Sequence, residues 1–298
     1  MDTPAAQPAV SNDVPVVLGV VGTVSNDVPV VLGVVGTADV VANSLSPVMF
    51  AAAFAGTGMR GFYVPLAVRA SSARKALRSL PRLGFRGVNV TMPFKRLAAE
   101  IAHERSELVA ATGVANTLVI AENGIITAEA TDGYAVEAAI VNAGTDLAGA
   151  TVIVLGAGGA AMESAWACCR AGASTVRVWN RTPDAAQALV DRLSQAFVKT
   201  TLEVSASVPI GHAADVLVSC VPTQAFENID LTDIEACKLV VDLAYRRDGL
   251  PTPVIRAAQT RGVAHVNGRE LLVRQGAASF TAWFDAEPPT GAMLRAIS

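Results

Sequence analysis

Asn89-Val90-Thr91-Met92-Pro93-Phe94-Lys95 sets an amine directly after a Pro-Phe corner, at the end of a β-like run that begins at Gly87-Val88. Proline fixes its own φ and pushes the residue before it toward extended geometry, so the backbone entering Lys95 is held. A held amine beside the small polar groups of Asn89 and Thr91 suits a hydroxylated small molecule. Taken singly, a lysine after a strand is most often solvated surface. Further small polar residues fall at loop positions, namely Ser44, Ser46, Asn116, Thr117 and Thr131-Asp132. Their hydroxyls, amide and carboxylate can share hydrogen bonds with a polyol, although each alone also reads as a cap or turn residue.

A second kind of chemistry follows in the chain. Thr151-Val152-Ile153-Val154-Leu155 reads as a buried strand and runs into Gly156-Ala157-Gly158-Gly159-Ala160, after which an Ala-rich stretch over 161–171 predicts a helix. Strand, glycine-rich turn and helix N-terminus form a dinucleotide-binding arrangement: glycines let the backbone approach a pyrophosphate, and free amides with the helix dipole favour its charge. The next strand, 176–179, ends in Asn180-Arg181-Thr182, facing the adenosine ribose. An acidic residue there would select the 2′-hydroxyl of NAD, whereas arginine and hydroxyl donors suit a 2′-phosphate, so NADP is favoured over NAD.

These residues must be carried by elements of an α/β protein. Up to about residue 130, β-branched runs (62–66, 87–91) alternate with Ala-rich helical stretches (71–80, 97–102), which predicts a largely parallel sheet. At 298 residues, with 52% hydrophobic and 16% charged residues, the chain is long enough for two compact domains. A net charge of −3 gives no reason to expect nucleic acid or an anionic membrane as a partner. Cys168, Cys169, Cys220 and Cys237 form no metal-like spacing, so reduced thiols, no metal and a cytoplasmic protein are expected. The first basic residue is Arg60, which argues against a secretory signal. Residues 11–23 and 25–37 carry the same thirteen letters, SNDVPVVLGVVGT. The second copy leads straight into the next motif and is assigned as the first strand.

With these pieces in order, the chain resembles the shikimate dehydrogenase (shikimate/quinate 5-dehydrogenase) family from about residue 30 to its C-terminus. Ser44-Leu45-Ser46-Pro47 is similar to that family's S-x-S-P loop, residues 89–95 to its N-V-T-x-P-F-K motif, and Val114-Ala115-Asn116-Thr117 to its A-V-N-T segment. Thr131-Asp132-Gly133 is similar to T-D-G, Gly156–Ala160 and Asn180–Thr182 to the cofactor motifs, Asp242-Leu243-Ala244-Tyr245 to D-x-x-Y, and Gly268 through Gln275 to the C-terminal motif. The resemblance implies Lys95 and Asp132 as the catalytic pair, with Ser44, Ser46, Thr91, Asn116, Tyr245 and Gln275 on the substrate. It implies Gly156, Ala157, Gly158, Gly159, Ala160, Asn180, Arg181, Thr182 and Gly268 on NADP. The implied fold is an N-terminal α/β substrate domain (28–131 plus 268–298), a Rossmann-type NADP-binding domain (132–267), and C-terminal helices packing back on the first. Residues 1–27 are an extra or disordered segment in this reading. The expected ligand is a hydroxylated cyclohexene carboxylate, and the expected assembly a monomer or homodimer.

Several positions depart from the family pattern. Ala130 stands where Asn precedes T-D-G, and Ala185 stands where a second arginine follows N-R-T, next to Asp184. Ser219-Cys220-Val221 replaces an N-A-T turn, Glu270-Leu271 replaces G-M, and Asn43 replaces a histidine. These changes leave Lys95 and Asp132 intact and bear on substrate, and less on cofactor. A quinate or aminoshikimate dehydrogenase, or a weakly active nucleotide-binding homologue, are the alternatives.

Overall fold

A computed structural model of the protein describes residues 29–298. The first copy of the duplicated motif and the expected segment 1–27 lie outside the described residues. The chain builds two six-stranded sheets in succession. In the first, β1 (Val30–Gly36) is followed by α1 (Ala38–Ala42), α2 (Ser46–Thr57), β2 (Gly61–Ala67), α3 (Ala73–Ser79) and β3 (Phe85–Val90). Then come α4 (Lys95–Ile101), β4 (Glu104–Arg105), α5 (Glu107–Thr112), β5 (Thr117–Ile120) and β6 (Ile126–Glu129). As expected, β1 comes from the second copy, a run of β-branched residues that suits a strand buried between layers.

Strand order in this sheet is β2-β1-β3-β5-β6-β4. The pairs β1–β2, β1–β3 and β4–β6 are parallel, while β3–β5 and β5–β6 run antiparallel. The mostly parallel expectation therefore holds around β1, and a hairpin interrupts it. The cause is chain length: the short link from β5 to β6, turning at Gly124 with φ of 84°, cannot make the helical crossover that parallel strands require.

Helix α6 (Thr131–Asn142) leads into the second sheet. Its elements are β7 (Thr151–Leu155), α7 (Gly159–Arg170), β8 (Thr175–Trp179), α8 (Pro183–Ser194), β9 (Thr201–Val204), β10 (Ala214–Ser219), β11 (Cys237–Asp242), α9 (Pro253–Thr260) and β12 (Ala264–Val266). The order β12-β11-β10-β7-β8-β9, with every neighbouring pair parallel, is the doubly wound dinucleotide-binding arrangement. Its winding reverses between β7 and β10, which opens a crevice at their carboxyl ends.

Helices α10 (Gly268–Phe284) and α11 (Thr290–Ile297) return to the first sheet, α10 against α2, β3, β5 and α6, and α11 against α2 and α10. Buried Trp283 donates its indole N–H to the Leu118 carbonyl at 3.0 Å, and Phe50 stacks on Tyr63 with centroids 4.4 Å apart beside it. Glycine at position 87 makes room for this contact, because a Cβ there would stand 2.1 Å from Trp283 Nε1 and 2.6 Å from the Leu118 oxygen. Gly87→Ala should accordingly lower the unfolding free energy by about 1–3 kcal/mol, the usual cost of overpacking a core, as read from urea denaturation monitored by Trp fluorescence.

Candidate active site

Strand β3 hands the chain to a turn whose bonds aim Lys95. The Thr91 N–H donates to the Val35 carbonyl at 2.9 Å, and the Phe94 N–H donates to the Thr91 carbonyl at 2.9 Å. With Phe94 buried as an anchor, Lys95 becomes the first residue of α4 and points inward, only 8% exposed. Its Nζ pairs with Asp132 Oδ2 and donates to Glu163 Oε1 at 3.1 Å. A lysine that sequence statistics would leave in solvent is thus a buried ammonium held by two carboxylates.

Asp132 is placed by the start of α6. The residue at the N-cap position is Ala130, fully buried and without a side chain that could cap the helix. Other elements satisfy the orphan amides instead. Asn116 Oδ1 accepts the Thr131 N–H at 2.8 Å, and Glu163 Oε2 accepts the Asp132 N–H at 3.1 Å. Asn116 Nδ2 shares its hydrogens among Asp132 Oδ1 (2.6 Å), Thr131 Oγ1 (2.9 Å) and Gln275 Oε1 (3.2 Å). The absent polar group at position 130 therefore leaves no gap in the cavity wall, since Ala130 faces the core.

A cavity of about 320 Å³ opens over this pair, at the lower end of the roughly 300–1,000 Å³ typical of small-molecule pockets. Ser44, Ser46, Thr91, Asn116, Tyr245 and Gln275 line it with Lys95 and Asp132, and so do Gly158, Gly159, Ala160 and Gly268. Asn89 also lines it, whereas Thr117 is fully buried behind it, bonded to Asn89 Nδ2 and Ser279 Oγ at 2.9 Å each. The Leu45 N–H donates to Tyr245 Oη at 3.3 Å, joining the serine turn to the loop after β11. That loop is fastened by buried Asp242, which accepts from the Ala244 N–H at 3.2 Å and the Thr252 hydroxyl at 2.5 Å. Burial pushes the Asp242 carboxyl up to about 6. Lys95 and Asp132 are the charged side chains lining the cavity, and among the described residues no arginine reaches it.

Gly156, Ala157, Asn180, Arg181 and Thr182 do not line this cavity; they extend from its rim along the carboxyl edge of the second sheet. Gly156 has φ of 111°, a conformation glycine tolerates, and a Cβ there would press on the Cys220 carbonyl at 3.2 Å across the crevice. Gly158 precedes the first turn of α7 with no side-chain cap, and a Cβ on it would meet nothing within 4 Å. The helix N-terminus thus faces open space with free amides, the geometry a pyrophosphate requires. Asn180 Nδ2 donates to the Thr182 carbonyl at 2.9 Å, which folds this turn back on itself, while exposed Arg181 has no hydrogen bond or ion pair among the described residues. The set fits a dinucleotide.

The electrostatics of the pair follow from burial and partners. Burial works against the charge on Lys95, but Asp132 and Glu163 outweigh it and hold the ammonium well above the ordinary lysine value. Burial pushes the Glu163 carboxyl up to about 7, with Lys95 pulling it down and Asp132 pushing it further up. Cys220, on the cavity wall, is raised by burial to about 12 and is a neutral thiol, not a nucleophile.

Glu163 is the residue that sequence reasoning missed. The available signal was one carboxylate in an otherwise small and apolar helix, one turn beyond the glycine loop. Nothing in its spacing indicates that α7 lies against α6 so closely that a Cβ on Gly133 would sit 2.6 Å from the Glu163 carbonyl oxygen.

Known proteins share this architecture. Three family profiles match, "Shikimate dehydrogenase substrate binding domain" over residues 36–118, "Shikimate / quinate 5-dehydrogenase" over 136–259 and "Shikimate 5'-dehydrogenase C-terminal domain" over 268–297. The shikimate dehydrogenase (NADP(+)) of Rubrobacter xylanophilus is 36% identical over 267 residues, covering 87% of this chain and 92% of the relative. That of Dinoroseobacter shibae is 37% identical, covering 80% and 87%. The crystal structure of shikimate 5-dehydrogenase from Thermus thermophilus with NADP(H) and shikimate superposes with a TM-score of 0.77 at 30% identity, covering 90% of this chain and 98% of that one.

Because Asn116 is buried and serves as the remote cap of α6, Asn116→Ala should leave the Thr131 N–H and hydroxyl without their amide partner. The expected loss is about 1–3 kcal/mol of unfolding free energy, measured by urea denaturation.

Proposed function

The chain belongs to the shikimate dehydrogenase family, and on that premise we propose that it interconverts shikimate and 3-dehydroshikimate with NADP. The observation that carries the reading is the buried Lys95–Asp132 pair in a cavity that also receives Gly158, Gly159 and Ala160 of the glycine loop. A proton-transfer group and a nucleotide-binding loop meet there at the reversal point of the second sheet. When bound, the nicotinamide supplies or removes the hydride.

The chain's own groups do the remaining work. In the reductive direction the Lys95 ammonium donates a proton from Nζ to the oxygen of the developing alkoxide; in the oxidative direction its amine accepts one from the ring hydroxyl. Before donating, the positive charge of Nζ stabilises the negative oxygen in a site shielded from water. Asp132 orients the lysine through Oδ2, while its Oδ1 is held by Asn116. Asn116 and Gln275 present amides to the ring hydroxyls, and Thr91 adds a hydroxyl on the β3 side. Ser44, Ser46 and Tyr245 receive the carboxylate through hydroxyl donors, in keeping with a cavity that no described arginine lines. On the nucleotide side, Arg181 with Asn180 and Thr182 would hold the 2′-phosphate, and the amides at the start of α7 would hold the pyrophosphate.

The departures from the family pattern fall mostly outside the substrate-facing wall. Ala130 is buried in the core, and Ala185 follows Arg181 on an exposed helix start. Neither of these two changes alters the cavity wall. Of the departing residues, Cys220, Val221 and Leu271 do line the cavity.

Lys95→Met should leave NADPH binding near that of the parent by fluorescence titration, while kcat for shikimate oxidation falls by about 10²–10⁴-fold, the usual worth of a general acid–base. Turnover within about threefold of the parent would remove Lys95 from the mechanism. Steady-state assays with shikimate and quinate, each with NADP+ and NAD+, test the substrate and cofactor assignment. Arg181→Ala should raise KM for NADP+ about tenfold, the order expected for losing a charge-assisted hydrogen bond, and change KM for NAD+ little.

A further inference from the structure

Glu163 stands outside the reading just given: it does not line the cavity, yet it touches both members of the proton-transfer pair. It is 0% exposed, and its two carboxylate oxygens divide between partners, Oε1 accepting from Lys95 Nζ and Oε2 from the Asp132 N–H, each at 3.1 Å. A buried carboxylate is costly unless paired and hydrogen-bonded, and this one has both kinds of partner. It also lies at the N-terminus of α6, where the helix dipole favours negative charge. A capping role alone would need only the bond to Asp132. The second oxygen, spent on Lys95, joins the helix of the glycine loop to the catalytic lysine.

Charge counting shows what that contact does. With all three side chains ionised, one ammonium faces two carboxylates and the buried trio carries a net negative charge. Like charges this close disfavour one another's ionisation, and the fully buried member is the cheaper one to protonate. Glu163 is that member, since Asp132 keeps 13% of its side chain in contact with the cavity. We propose that Glu163 is a positioning residue that sets the acidity of Lys95. Ionised, it holds the ammonium against Asp132; protonated, it leaves Lys95 with one carboxylate and so a stronger acid.

Other ionisable groups on the elements around α7 do not compete for this role. Cys220 is a neutral thiol, and Cys168 and Cys169 are raised by burial. Tyr134 on α6 lies against Trp166, Glu137 pairs with Arg170, and Arg177 on β8 pairs with Glu203. Glu107 at the start of α5 is exposed.

The proposal rests on Lys95 being the proton-transfer group, and its test does not need the substrate to be known. The rate of Lys95 acetylation by a small amine reagent, read by peptide mass spectrometry, reports how readily the ammonium loses its proton. At about pH 9, Glu163→Gln should label Lys95 about tenfold faster than the parent, the change equivalent to one pKa unit. Bound NADPH by fluorescence verifies that the variant is folded. Equal rates, within about twofold, in a folded Glu163→Gln protein would overturn the assignment. If that variant does not fold, Glu163→Ala labelled under the same conditions decides: a folded protein whose Lys95 labels within about twofold of the parent overturns the assignment. The pH profile of shikimate oxidation should likewise lose an inflection near pH 7 in Glu163→Gln. A parent protein inert on every cyclohexene acid tested, with labelling as expected, would sink the substrate reading and leave Glu163 in place.

Discussion

One ammonium held between two carboxylates in a buried site is the constraint around which the rest of this molecule is arranged. Lys95 is supplied by the first sheet, Asp132 by the helix linking the two sheets, and Glu163 by the helix of the glycine loop. No one of these charges would be stable at that depth alone, because a buried charge without a partner costs several kcal/mol. The three elements must therefore meet at one point, and their meeting fixes how the two sheets face each other across the cavity.

Close backbone approach makes the meeting possible. Gly133 lets α6 lie against α7, and Gly159 lies so near the Lys95 stem that a Cβ would stand 2.8 Å from its Cδ. Side chains larger than hydrogen at these points would separate the carboxylates from the amine. On the far side of the first sheet, Gly87 and Trp283 do the same for the C-terminal helix, which carries Gln275 to the cavity. The packing glycines and the charged trio are two aspects of one geometry: contact between helices brings charge to charge.

Much of the architecture was legible because its signals are local. A β-branched run, a glycine turn and an Ala-rich helix announce β7, the crevice and α7 from periodicity alone, and the second duplicated copy leads into its motif as β1 does in the fold. The order of motifs likewise placed Ser44, Lys95, Asn116, Asp132, Tyr245 and Gln275 in a shared site, and the cavity has all six on its wall. The antiparallel hairpin of β5 and β6 was less legible, since its cause is a short link and not a pattern of residue types. Arg181 illustrates a partial reading: its type suggested a phosphate, and the fold leaves it at the sheet edge without a competing partner among the described residues.

What the sequence determined by itself is the set of elements and the chemical vocabulary: strands, a nucleotide turn, an amine, an acid and a group of hydroxyls and amides. Those depend on residues close in the chain, where sterics and propensity act directly. Only the tertiary structure decided that Lys95 is buried, that Ala130 is relieved of capping by Asn116 and Glu163, and that a glutamate in the glycine-loop helix answers Lys95. Burial and charge pairing depend on atoms 31 and 68 residues apart in sequence, between Glu163 and Asp132 and between Glu163 and Lys95. Their energies arise from distance and exclusion of water, which exist only once the helices have packed.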